Sequence, residues 1–240
     1  MLEQVLPGRG QYTAFNSLLV KEAKRKFKRA EVNTTHSLAF LAVGKRYAHR
    51  LEGQRVRSED VAKQLDLADL ILPMGADAEG NPLTRTLAAG FLAGQVLGAV
   101  RRFCQSADLE VGEDHFKYLD GLDMPTPDGR RTYANNERVR EHLLPFARKA
   151  WADLSSEQGT LTFSHDHYVK GWQRSKPVIS ADYILLDESQ DTAPVMLDVL
   201  KQQKALLILV GDEAQQIYEW RGAVNAMSEE VWPAAKRLCL

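Results

Sequence analysis

Two adjacent carboxylates, Asp187 and Glu188, follow directly on a short apolar run, Tyr183 to Leu186, and are themselves followed by Gln190 and Asp191. An apolar run of that length, bounded by charge, reads as a strand buried on both faces and so as part of a parallel sheet. Ligands in such sheets sit at the carboxyl ends of the strands. Paired carboxylates in that place suit phosphoryl transfer, where one acid holds a nucleotide-bound magnesium ion and the next orients or deprotonates the attacking water. Asp187 fits the first role and Glu188 the second. The pattern then repeats: a helix is expected over Thr192 to Gln203, and a second apolar run, Leu206 to Val210, ends in Gly211, Asp212 and then Gln215. A polar side chain at a neighbouring strand tip is where a γ-phosphate would be sensed. Tyr218, Trp220 and Arg221 lie just beyond, two aromatics and a cation at the close spacing that base stacking with a phosphate contact requires.

The stretches DESQD, from Asp187, and GDEAQQIYEWRGA, from Gly211, resemble motifs II and III of the UvrD-like superfamily 1 DNA helicases, whose usual forms are DExQD and GDxxQxIYxFRGA. HDHYVKGWQRSKP, from His165, and RGAVNAM, from Arg221, more narrowly resemble the F-box DNA helicase branch. The resemblance implies ATP and magnesium as cofactors, with Asp187 holding the metal and Asp187, Glu188 and Gln215 as catalytic residues. Gln190, Asp191, Asp212 and Arg221 would couple the nucleotide to DNA. The activity implied for the intact family is 3′-to-5′ unwinding, with single-stranded or partly duplex DNA as the partner.

The elements that must position these residues read as follows. QYTAFN, Gln11 to Asn16, is expected to be a strand, and it resembles motif Ia, which implies that Phe15 and Asn16 face DNA; a buried core Phe is the alternative. A helix is expected over Ser17 to Lys28, its buried stripe formed by Leu19, Ala23 and Phe27. Lys21, Lys24, Arg25, Lys26, Lys28 and Arg29 crowd its other faces, as solvated surface or as phosphate contacts. Glu31 to Thr34 reads as a further strand. TTHSLAF, Thr34 to Phe40, resembles motif Ib, and its Thr35, His36 and Ser37 suit a phosphate or sugar at a helix start. An N-cap with a histidine packed beside it is compatible with the same residues.

From about Leu51 to Gln158 the pattern changes to helices separated by polar turns. Ser58 is a possible N-cap with Glu59 and Asp60 in the first turn. A turn over Met74 to Pro82 precedes a helix expected from about Thr84 to Cys104, in which Gly90, Gly94 and Gly98 form a flat strip for close helix packing. Another helix is expected over Asn135 to Leu154, kinked at Pro145. His165, Asp166 and His167 form an alternating triplet in a strand or loop, and no third ligand cluster stands nearby in sequence. The fold class expected is therefore α/β: a partial RecA-like (P-loop NTPase) parallel sheet, residues 1–50 and 160–240, with an inserted helical subdomain, 51–159.

The 240-residue chain carries 31 basic and 32 acidic residues, a formal net charge of -1, so nucleic-acid contact has to come from local patches. Its 44% hydrophobic and 26% charged content is ordinary for a globular protein. The two cysteines, Cys104 and Cys239, have no metal-ligand spacing, which fits a reducing cytoplasm. No signal peptide or spanning helix is recognisable. The sequence contains no GxxxxGK followed by Ser or Thr, the loop that cradles nucleotide phosphates. By resemblance the chain is expected to be a fragment covering motifs Ia to III. A further chain would then have to supply the phosphate loop and a second motor domain, and the polypeptide alone would be a poor ATPase. The alternative is a truncated, non-catalytic module that binds single-stranded DNA or a partner.

Overall fold

The computed structural model describes residues 5–14, 16–51, 53, 56–122, 124–125, 131–215 and 225–236. In chain order the elements are β1 (Gly10–Ala14), α1 (Ser17–Lys26), β2 (Glu31–Thr34), α2 (Thr35–Ala42), α3 (Ala48–Leu51), α4 (Ser58–Leu65), β3 (Leu70–Ala76), β4 (Pro82–Leu87), α5 (Ala89–Gln105), β5 (Met124–Pro125), β6 (Arg131–Thr132), α6 (Ala134–Ser155), α7 (His165–Arg174), β7 (Tyr183–Asp187), α8 (Pro194–Lys201) and β8 (Leu206–Leu209). They form two compact units. The first takes the described residues up to Tyr47, Gln105–Ala107 and the chain from Tyr168 on; the second takes Ala48–Cys104 and Asp108–His167.

In the first unit four strands form one sheet in the order β2-β1-β7-β8, and every pairing is parallel. The reason lies in the side chains. Tyr183, Ile184, Leu185 and Leu186 of β7 are all buried, so this strand has no solvent face and is covered on both sides. β1 is buried along its whole length, from Gly10 to Ala14. α1 packs on the sheet through Val20 and Ala23, with Leu19 and Phe27 partly buried against Tyr12, Ala14, Val32 and Leu185. The expected stripe of Leu19, Ala23 and Phe27 is present, with Val20 added. Gly10 permits a close approach, since a Cβ there would lie 2.3 Å from the Tyr183 ring.

A polar anchor in this unit has no counterpart in the sequence reading. Lys170 and Gln173 are fully buried. The Lys170 ammonium donates to the Ser106 carbonyl at 2.9 Å and to Gln173 Oε1 at 3.0 Å. Gln173 in turn donates to the Ala107 carbonyl at 2.8 Å and to Asp198 Oδ2 at 2.7 Å. Residues 105–107 are thereby fastened to α7 and α8 by charged and neutral hydrogen bonds that keep a buried cation satisfied.

The second unit corrects several local expectations. Residues Pro82–Leu87, expected to open a helix at about Thr84, instead form strand β4, antiparallel to β3, and α5 begins only at Ala89. Thr84, Arg85 and Thr86 suit an extended ribbon, and the turn closes it: Asp77 Oδ1 accepts the amides of Glu79 at 3.0 Å and Asn81 at 2.7 Å. Ser58 does not cap α4; the N-cap position is Arg57 and Ser58 is the first helical residue. The glycine strip of α5 packs at one end only: a Cβ at Gly90 would lie 3.3 Å from the Glu59 side chain of α4, whereas one at Gly94 would meet nothing within 4 Å. The buried stripe is instead Leu92, Val96, Val100 and Phe103, adjacent to the glycines around the helix. α6 is a single helix that carries Pro145 in its interior, so the proline does not end it. His165, Asp166 and His167 lie in the first turn of a helix, not in a strand or loop.

Candidate functional site

β7 and β8 run side by side, with Leu186 in register with Leu209, so Asp187 and Gly211 emerge at the same edge of the sheet. The ladder continues past the strands: the Val210 amide donates to the Leu186 carbonyl at 2.9 Å, and the Ser189 amide donates to the Val210 carbonyl at 3.0 Å. Both strand tips are therefore held by backbone bonds before any side chain acts.

Glu188, between the strand and the short turn Ser189–Asp191, has φ 53 and ψ 45. This left-handed conformation costs a non-glycine residue on the order of 1 kcal/mol, and it persists only where surrounding contacts hold it. Those contacts are on both sides. Ser189 is completely buried, and its hydroxyl donates to the Val210 carbonyl at 2.9 Å. Gln190, 1% exposed, donates from Nε2 to Glu188 at 2.6 Å and accepts the Asp212 amide on Oε1 at 3.2 Å. Asp212 Oδ2 then accepts from Gln215 Nε2 at 2.8 Å. A continuous chain of hydrogen bonds, Glu188 to Gln190 to Asp212 to Gln215, thus spans the two strand tips. Gly211 is required beside it, because a Cβ there would fall 2.2 Å from Gln190 Oε1.

The sequence reading missed one participant. The Tyr12 hydroxyl donates to Asp187 Oδ2, while Asp187 Oδ1 accepts the Glu188 amide at 3.2 Å. Tyr12 is 5% exposed, and burial, reinforced by the Asp187 carboxylate, pushes its hydroxyl well above the usual tyrosine range. It therefore stays a donor at ordinary pH. The signal is in the register: Ala14 pairs with Asp187, and Tyr12, two residues earlier, shares its face of the sheet.

The other expected residues fall as follows. Asp191 is buried in the turn after Glu188. Asn16 is the N-cap of α1, its side chain accepting the Leu18 amide at 2.8 Å. At α2 the cap is Thr34, which accepts the Ser37 amide at 3.0 Å and lies 2.7 Å from the Ser37 hydroxyl. Thr35 is buried, 3.4 Å from the Thr13 hydroxyl, whereas His36 and Ser37 are half-buried. Phe15, Tyr218, Trp220 and Arg221 lie outside the described residues.

Chemically, the edge offers half-buried Asp187 and Glu188 beside exposed Asp212 and Gln215. Among the described residues no lysine or arginine pairs with Asp187, Glu188 or Asp212. Carboxylate oxygens without a cationic partner at a strand tip are hard donors of the kind that take magnesium through one or two protein oxygens plus phosphate.

A four-stranded all-parallel sheet whose two central strands are buried on both faces, with acidic and glutamine side chains at its carboxyl edge, defines an α/β protein with a RecA-like portion. The chain belongs to the UvrD/REP helicase N-terminal domain family, whose model matches residues 11–231. It is 30% identical to F-box DNA helicase 1 of Gallus gallus over 230 residues, 90% of this chain and 20% of that protein. Against F-box DNA helicase protein 1 of Schizosaccharomyces pombe the identity is also 30%, over 239 residues that make up 95% of this chain and 25% of the relative. A probable DNA helicase II homolog of Mycoplasma genitalium is 46% identical over 48 residues, 19% of this chain and 7% of that protein. The chain thus spans a fifth to a quarter of the length of the F-box helicases it resembles. Among the described residues no helix is long and apolar enough to cross a membrane.

Proposed function

We propose that the first unit is part of the first motor domain of an ATP-dependent DNA helicase working 3′ to 5′ in the cytoplasm, and the second unit is the subdomain inserted into it. Asp187 would hold the magnesium ion of ATP, Glu188 would polarise the attacking water, and Gln215 would sense the γ-phosphate. Bound magnesium supplies charge neutralisation of the phosphates. Tyr12 and the Glu188 amide each donate to one Asp187 oxygen and fix the orientation of the carboxylate. Gln190 and Asp212 link the water-activating carboxylate to the γ-phosphate glutamine, and with Asp191 and Arg221 they would pass the nucleotide state on to single-stranded DNA held by Phe15, Asn16, Thr35, His36, Ser37, Tyr218 and Trp220. The observation that carries this reading is the hydrogen-bonded chain from Glu188 to Gln215 across two adjacent strand tips.

The 240 residues contain no phosphate-cradling loop, so none of these site residues would cradle the nucleotide phosphates. The second reading is a non-catalytic module that binds single-stranded DNA or a partner. A magnesium–ATP titration followed by calorimetry separates the two. Micromolar affinity that is lost in Asp187→Ala supports the motor reading. Absence of binding, with single-stranded DNA affinity intact, supports the module.

A further inference from the structure

The chain is almost neutral overall, yet residues 21–29, KEAKRKFKR, hold six cations and one carboxylate. The packing of α1 separates these cations by role. Val20 and Ala23 are buried and Leu19 and Phe27 partly so, which turns Lys21 and Arg25 to the outer ridge of the helix with Lys24 alongside. Lys26 is neutralised by Glu22 at 2.6 Å, and Arg29 donates to the Leu6 carbonyl at 2.9 Å. Lys21, Lys24 and Arg25 are exposed, and among the described residues none of them forms a salt bridge, although Arg25 lies near enough to Glu22 to help Lys26 hold that carboxyl below its usual range. The helix macrodipole favours cations only in the last turn, so it does not account for Lys21.

We propose that this ridge of α1, Lys21, Lys24 and Arg25, is a docking surface for the phosphodiester backbone of duplex DNA, separate from the single-strand contacts at the carboxyl edge of the sheet. The inference rests on the DNA-translocating reading above. Lys21 and Arg25 are about 6 Å apart along the helix axis, and a B-form strand carries one phosphate per roughly 3.4 Å of its axis. A rigid ridge laid along a duplex strand therefore reaches two or three phosphates without rearrangement. Single strands are held by a charged groove combined with aromatic rings on which the bases stack. The exposed apolar side chain on this ridge is Leu18, 68% exposed, which offers no π face. α1 also starts at the carboxyl end of β1, with Asn16 as its cap, and runs back along the sheet. Its basic end therefore points away from the edge where the single-strand contacts are proposed, as a flanking duplex requires.

The test uses the full chain, a 20-base-pair duplex and a 20-nucleotide oligo(dT), with dissociation constants measured over a series of KCl concentrations. In K21E/K24E/R25E the duplex affinity is expected to fall at least tenfold, and the slope of log K against log salt is expected to shrink by about 2 to 3, while oligo(dT) affinity changes less than twofold. A second triple variant, K117E/K204E/K236E, makes the same change of net charge at exposed lysines elsewhere and is expected to bind the duplex within twofold of the parent. Equal losses in both triple variants reduce the effect to net charge and overturn the proposal. Equal losses for duplex and oligo(dT) make the ridge part of the single-strand path, which also overturns it. Unchanged duplex binding leaves the ridge as solvated surface. A parent chain that binds neither DNA removes the DNA reading itself, whereas a parent that binds oligo(dT) and not the duplex removes only this inference.

Discussion

At the scale of single residues, Gln190 is the side chain on which the candidate site turns. Its amide is shared between Glu188, held in a left-handed conformation, and the backbone of Asp212, and it is 1% exposed. Removing it takes a partner from the half-buried Glu188 carboxylate and from the amide of exposed Asp212, and it empties the space of a fully buried side chain. Gln190→Ala is expected to lower unfolding stability by about 2 kcal/mol, and the check is the urea midpoint. A loss under a few tenths would mean that the two strand tips hold their geometry without it. The positions of Asp187 and Gln215 at neighbouring strand tips were readable because polar residues stand immediately after an apolar run. Gln190 was readable only as a member of a motif. Its bridging role depends on a bond to a residue 22 positions away. Tyr12 was not readable at all, since its partner Asp187 is 175 positions distant.

At the scale of elements, the helix starts next to the sheet carry both local stability and the expected DNA contacts, and these two can be separated. Thr34 caps α2 through the Ser37 amide, and the cap sits at the end of β2. Thr34→Ala is expected to cost about 1 kcal/mol of stability, while Thr34→Ser keeps an acceptor oxygen and restores it; thermal unfolding of the pair is the measurement. Strands β1, β2, β7 and β8 and helices α1, α6 and α8 were legible within a few residues because burial on one or both faces imposes a strong period. The β3–β4 ribbon was not. Only Leu72 and Leu87 of its two strands are buried, so most of its side chains carry no alternation that distinguishes a strand from a polar helix. Ribbon formation there is decided by the Asp77–Asn81 turn and by pairing across it.

At the scale of the whole molecule, a buried histidine gives the second unit a pH response. In the second unit His167 accepts the Ser164 amide on Nδ1 at 2.9 Å, and its ring stands edge-on to Phe163 at 5.2 Å. Burial holds its pKa down at about 4; Asp166 opposes the shift and Arg50 adds to it. The folded state therefore prefers the neutral ring. Its contribution to stability is complete above the unfolded value of about 6.5, is lost as pH falls through the folded value, and is flat below it. The melting temperature is expected to fall more between pH 6.5 and 4 in the parent than in His167→Gln, a difference measurable by calorimetry at matched ionic strength. Parallel profiles would show that His167 is protonated at no cost. The sequence by itself determined the parallel α/β core, the acidic strand tips and the family, because alternation, apolar runs and short motifs are local patterns. Tertiary structure alone decided which hydroxyl orients Asp187, which amide joins the two strand tips, and how Lys170 and Gln173 fasten residues 105–107. These are bonds between groups far apart in the chain, and their partners exist only once the parallel register has set the strands side by side.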